Sequence, residues 1–146
     1  MPLLKPTDER LYQKSAYVED LPRQMHPHMP EMHQLMNAAR HAVGLSAPQI
    51  GVLFRFFVYR NISLSWVVNP IIVAHSDVVV VSREGCLSWP GRFTGVPRFK
   101  TCTIRWSDEN GEVIERELKL LQAMIFQHEI DHLNGKNIFP RPEAKP

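Results

Sequence analysis

From Val52 to Leu118 the chain is a succession of short runs rich in Val, Ile, Phe and Trp, punctuated by Gly, Pro, Asn and Asp. β-Branched and aromatic side chains suit a pleated, half-buried surface, and the punctuating residues are those that turn a backbone. The runs predict strands over residues 52–59, 65–68, 71–81, 96–106 and 112–118, with boundaries at Asn61, Asn69-Pro70, Asp77, Gly91 and Gly95. Cys102, Ile104 and Trp106 alternate with Thr101, Thr103 and Arg105, so this strand buries one face. Asn110-Gly111 closes a hairpin loop over residues 107–111.

Two helical patterns bracket the strands. Met32, Leu35, Met36 and Ala39 recur at helical spacing over residues 30–40, with Pro30 suited to a first turn and the Met-rich stripe facing a core. Residues 119–133 form the second pattern, stopped by Asn134-Gly135. Pro2, Pro6, Pro22, Pro27 and Pro30 mark an irregular N-terminal arm, Pro140, Pro142 and Pro146 close the chain, and residues 44–51 are turn-rich. Strands gathered between helices imply an α+β fold, with antiparallel sheets packed around a central C-terminal helix and one N-terminal helix. At 146 residues the expected organisation is a single domain over residues 1–146.

Composition narrows the function classes. With 44% apolar residues and a net charge of +2, the chain is not of the disordered class. Seven Gly and two Cys exclude a collagen repeat and a disulfide scaffold. No apolar run approaches the ~18 residues of a membrane span. The N-terminus has no signal-peptide pattern, so a cytoplasmic protein is expected, or an organellar one with its presequence trimmed. No Lys/Arg cluster accompanies Phe54, Phe56 and Phe57, which read as strand core, so nucleic acid is not an expected partner.

The strongest chemical signal is Gln127-His128-Glu129-Ile130-Asp131-His132. Two His at i, i+4 on a helix share one face and can hold one metal ion, and Glu129 is close enough to reach a water beside it. A catalytic metal of this kind needs a third protein ligand and an open position. Downstream candidates fail: position 138 is Ile, and Glu143 lies in a Pro-rich tail. The best upstream candidate is Cys86 in Glu84-Gly85-Cys86-Leu87-Ser88, where Gly85 permits a sharp path into a turn that carries a soft thiolate donor. Cys102, mid-strand, reads as a small buried hydrophobe.

Gly44-Leu45-Ser46-Ala47-Pro48-Gln49, then Glu84–Ser88, then Gln127–His132 resemble, in order, the three signatures of the peptide deformylase family. Val96-Pro97-Arg98 is also similar to the family. The resemblance implies Cys86, His128 and His132 as ligands of one divalent metal, usually Fe2+ in the cell, with Zn2+, Ni2+ and Co2+ also suited to the donors. It implies hydrolysis of the formyl group from N-formylmethionine on nascent chains, releasing formate. Glu129 would act as general base, and the Gln49 amide and Leu87 backbone N–H would donate to the oxyanion. Two positions depart from the pattern: Ala42 stands where the first signature usually begins with Gly, and Ser46 stands for the usual Ala. Bacterial members often carry a long C-terminal helix that helps docking on the ribosome, and none is visible after Gly135. A short form fits an unusual bacterial branch, a virus acting in its host's cytoplasm, or an organelle. A monomer is expected.

The methionine side chain needs an apolar pocket, for which Leu121, Met124, Ile125, Val43 and Gly44 are candidates; periodicity leaves plain core equally open for the apolar ones. Glu84 and Arg98 are expected to pair, either fixing Cys86 or as a solvated ion pair. Asp131 is a candidate to orient a His ring. His26, His28, His33 and His41 read as surface residues rather than a second metal site. Two further function classes stay open: a metallo-amidase or peptidase with another acyl substrate, and a non-catalytic metal-binding relative. A structural site would need a fourth ligand and would leave Glu129 without a task, which favours catalysis.

Overall fold

The computed structural model describes residues 3–143, so Pro2, Pro146 and the outermost ends of the expected domain lie outside it. The strands are β1 (Gly44–Ser46), β2 (Phe56–Arg60), β3 (Leu64–His75), β4 (Val79–Cys86), β5 (Trp89–Phe99), β6 (Thr101–Ser107) and β7 (Val113–Lys119). The helices are the single turn α1 (Leu21–Gln24), the N-terminal helix α2 (Met29–Ala38) and the C-terminal helix α3 (Leu120–Leu133). One antiparallel sheet has five strands in the order β1-β2-β3-β6-β7, and β4 and β5 form a separate two-stranded sheet. The fold is α+β, as the clustering of strands between helices implies.

The apolar run of β2 shows why the large sheet has a helix on each face. Successive side chains point to opposite faces, so a strand buried on both sides is apolar throughout. Phe56 and Val58 join Met32 and Met36 of α2 in one core cluster. Phe57 and Tyr59 join Cys102, Ile104, Trp106 and Leu118 in a second cluster, closed by Ala123, Phe126, Ile130 and Leu133 of α3. Phe126 sits between Phe57, Tyr59 and Trp106, with ring centroids 5.2, 4.9 and 5.0 Å away. Burying a side chain of this size contributes about 1.5–3 kcal/mol, so α3 is held where its polar face must meet β1 and β4.

Several predicted strand limits are corrected. Asn69-Pro70 does not end a strand: β3 runs through it. A register shift between Val68 and Ile71 and a positive φ of 52° at Asn69 accommodate the Pro, which has no N–H for the ladder. The predicted strand 71–81 is two strands, broken at residues 76–78 around the predicted Asp77 boundary, where the chain leaves the large sheet for the small one. The predicted strand 96–106 breaks at Lys100, and Gly91 and Gly95 lie inside β5 instead of bounding it. Helix α3 ends as expected at Gly135, whose φ is 74° and which lies so close to the Tyr12 backbone that a Cβ would collide with it. Among the described residues, no helix is long and apolar enough to cross a membrane.

Candidate metal centre and catalytic cleft

His128 and His132 lie on the buried face of α3, one turn apart, with ring centroids 4.9 Å from each other. Gln127 fixes the height of that turn: its Oε1 accepts from Phe99 N at 2.8 Å, and its Nε2 donates to Phe99 O at 2.9 Å and Ala123 O at 3.0 Å. Cys86 is the last residue of β4, not a turn residue, and a register shift between Gly85 and Cys86 bends the strand end. Its Sγ lies 3.4 Å from His132 Nε2. Gly85 serves close packing rather than a sharp turn, since a Cβ there would meet the Phe93 ring at 2.8 Å.

One donor atom from each of Cys86, His128 and His132 falls within 4.8 Å of the others, the one such cluster among the described residues. Ligands bonded at ~2.3 Å (sulfur) and ~2.1 Å (nitrogen) around a tetrahedral ion lie roughly 3.6 Å apart, so this spacing fits a shared ion. A thiolate with two imidazoles suits a divalent transition metal. His128 Nδ1 is taken by Glu84 Oε1 at 2.8 Å, which leaves Nε2 as its metal-facing atom.

Glu84 is thus more than half of an ion pair. Arg98 holds it through Nε at 2.9 Å and Nη2 at 2.8 Å, and both side chains are buried, not solvated. Burial opposes the Glu84 charge, but the hydrogen bonds from Arg98 and His128 outweigh it and bring the carboxyl down to about 2. Burial likewise opposes a charge on His128, and the contacts with Cys86 and Glu84 hold its ring up to about 10. His132, fully enclosed and beside His128, is held well below the usual imidazole range. Asp131 pairs with Arg98 rather than with a His ring, so the carboxylate that orients an imidazole is Glu84. Helical spacing alone could not reveal this, because Glu84 reaches α3 from another sheet.

Glu129 is 3% exposed, and its Oε1 has no hydrogen-bond partner. Burial pushes its carboxyl up to about 7, partly offset by His128. Its Oε2 occupies the space where a side chain at Gly44 would begin. Gln49 is also buried, with Nε2 at 3.4 Å from Cys86 Sγ and 3.1 Å from Ser88 Oγ. These groups open onto a cavity of about 620 Å³. Leu87 lines it, as do Val43, Gly44, Leu121, Met124 and Ile125. Leu121 and Val43 are exposed at its mouth, at 64% and 42%, whereas Ile125 lies deep within it at 5%.

The sequence profile of polypeptide deformylases matches residues 1–145. The chain belongs to that family. The peptide deformylase of Thermotoga neapolitana is 44% identical over 101 residues, covering 68% of this chain and 61% of that protein, so the match spans under two thirds of the relative. Peptide deformylase 2 of Bacillus subtilis is 35% identical over 96% of this chain and 84% of its own. The crystal structure of the Thermotoga maritima deformylase superposes with a TM-score of 0.89 at 33% identity, covering 98% of this chain and 97% of that one. The deformylase of the Vibrio parahaemolyticus bacteriophage VP16T, solved in complex with actinonin, superposes at 0.86 with 37% identity, covering 94% and 100%.

Against the family's pattern, Ala42 is accommodated: Asn69 and Leu120 are the non-Gly residues with positive φ among those described, and Ala42 is buried in ordinary backbone. Gly44 has no such latitude. Changing Gly44→Ala should displace the Glu129 carboxylate and cut turnover by at least about tenfold, since misplacing a reacting group by ~1 Å costs up to ~10². Metal content should stay at the wild-type level, because no ligand is touched. Unchanged turnover in a folded, metal-loaded Gly44→Ala protein would show that Glu129 tolerates the intrusion.

Proposed function

We propose that this chain removes the N-formyl group from the N-terminal methionine of newly made polypeptides, releasing formate, as a metal-dependent hydrolase. The observation that carries this reading is Glu129, a buried carboxylate with an unpartnered oxygen, lining the same largely apolar cleft as Cys86 and His128 of the metal cluster and the Gln49 side chain. Cys86, His128 and His132 would hold the ion, which when bound supplies a Lewis acid that activates water and polarises the formyl carbonyl. Ferrous iron is the proposed cellular ion. The cytoplasm is the proposed site of action, on nascent chains.

Glu129 takes the proton of the water that attacks the formyl carbon. A carboxyl pushed up to about 7 is a stronger base than an exposed one and is matched to neutral pH. Negative charge grows on the formyl oxygen, and Gln49 Nε2 with the Leu87 backbone N–H are its proposed donors. Glu129 then returns the proton to the methionine nitrogen as the C–N bond breaks, leaving formate and a free amine. Met124 and Ile125 on the cavity wall suit the methionine side chain, with Val43 and Leu121 at the rim.

The test is formate release from formyl-Met-Ala peptides by anaerobically purified protein, with metal analysis of the same sample. Metal-loaded protein that releases no formate would favour another acyl substrate or a binding role. Gln49→Leu should retain the metal and lose on the order of 10²–10³ in kcat, the worth of one oxyanion donor. A loss confined to KM would remove Gln49 from the transition state.

A further inference from the structure

We infer that Ser46 is a positioning residue that locks the Gln49 side chain with its NH2 group, not its carbonyl, facing the reacting formyl oxygen. This rests on the deformylase reading of the cleft and deepens it. A glutamine amide has two ends of similar shape and opposite polarity. Facing the cleft with Nε2, it stabilises a developing oxyanion; facing it with Oε1, it repels one. Something must set the choice.

Ser46 lies two residues from the Gly44 that shelters Glu129, at the end of β1, with its backbone extended (φ −95°, ψ 151°) before the short turn Ala47–Ile50. That turn brings Gln49 back over it. The Ser46 backbone N–H donates to Gln49 Oε1 at 2.9 Å, and the Ser46 hydroxyl donates to the same oxygen at 2.9 Å. Both residues are buried, Ser46 at 0% and Gln49 at 1% exposed, so water does not replace either bond. A flipped amide would set an N–H against the backbone N–H of Ser46 and strip the carbonyl oxygen of two donors at once. The correct orientation sends Nε2 toward Ser88 Oγ at 3.1 Å and toward Cys86 Sγ at 3.4 Å, and Cys86 lines the cleft. With alanine at this position one of the two donors remains. The serine therefore adds a second lock to a backbone contact that every residue type can make.

The experiment is a double-mutant cycle in the metal-loaded protein. Ser46→Ala should lower kcat roughly 3–10-fold, the worth of one hydrogen bond, with KM and metal per chain unchanged. In a Gln49→Leu background the same substitution should cost nothing further in kcat, because its object is gone. A purely structural serine would cost the same in both backgrounds, and that result would overturn the inference, as would full kcat in the single variant. NMR of the zinc-loaded protein gives a readout independent of turnover. The Gln49 side-chain NH2 protons should be slowly exchanging in wild type and exchange faster in Ser46→Ala. Unchanged exchange would overturn the lock even if the protein released no formate, an outcome that would reject the deformylase reading separately.

Discussion

Changing Glu129→Gln is expected to lower formate release by roughly 10²–10⁴-fold while leaving one metal per chain in place. That range corresponds to about 3–5 kcal/mol of transition-state stabilisation. Glutamine keeps the size of the side chain, so it still fits beneath Gly44, but it cannot take a proton from water. None of the three clustered donor atoms belongs to Glu129, so metal content should not follow activity. Stability gives a second readout. Burial raises the Glu129 carboxyl from 4.5 to about 7, so its contribution to stability is present below the unfolded value and lost as pH rises through the folded one. Above about pH 7 the charged carboxylate is a cost, which a neutral amide removes. In the metal-free protein the Gln variant should therefore unfold at an equal or higher temperature at pH 8 than wild type. Full activity with metal intact would take the proton-transfer role away from Glu129.

Residue spacing makes legible the parts of this site that lie on one element, while Cys86, Gln49 and Leu87 come from motifs on other elements. His128, Glu129 and His132 share a helix, and helical spacing alone puts them on one face. The alternation of Cys102, Ile104 and Trp106 likewise matches burial at 1%, 0% and 3%. What spacing could not supply is anything that depends on two elements meeting. Glu84 reaches His128 from β4, Arg98 joins Asp131 as well as the Glu84 it was expected to pair with, and Ser46 acts through the short turn Ala47–Ile50, which is too brief to show a hydrophobic period. The strand boundaries fail for a related reason. Pro70 and Gly95 are local breakers, but a bulge and the open surface of the small sheet accommodate them. The break at residues 76–78 falls on the polar Ser76-Asp77 and matches the Asp77 boundary, whereas the end at Lys100 is set by the chain passing from the small sheet to the large one. Position 46 shows the limit most clearly. As a departure from a family pattern, a serine there has no stated effect; the 2.9 Å bond from its hydroxyl to Gln49 Oε1 supplies one.

Changing Cys86→Ala is expected to remove metal and activity together. Three donors become two, and an outer-shell partner alone is worth 10–100-fold in metal affinity, so loss of a direct ligand should exceed roughly 100-fold. Metal per chain after desalting should fall far below stoichiometric, and formate release should fall with it. The second cysteine separates this from a general effect of thiol loss. Cys102 is 1% exposed in the core beneath α3, and burial pushes its thiol up to about 11, so it is neither nucleophilic nor placed to bind an ion. Cys102→Ala should cost stability through a small cavity yet keep metal and turnover. Thiol reagents should label Cys86 in metal-free protein and leave Cys102 untouched, and metal should protect Cys86 from them. The informative comparison is Cys86→Ala against Glu129→Gln: one should fall in both metal and activity, the other in activity alone. If Cys86→Ala held its metal as tightly as wild type, the third ligand would have to lie elsewhere, and the 3.4 Å approach of its sulfur to His132 would be packing rather than coordination.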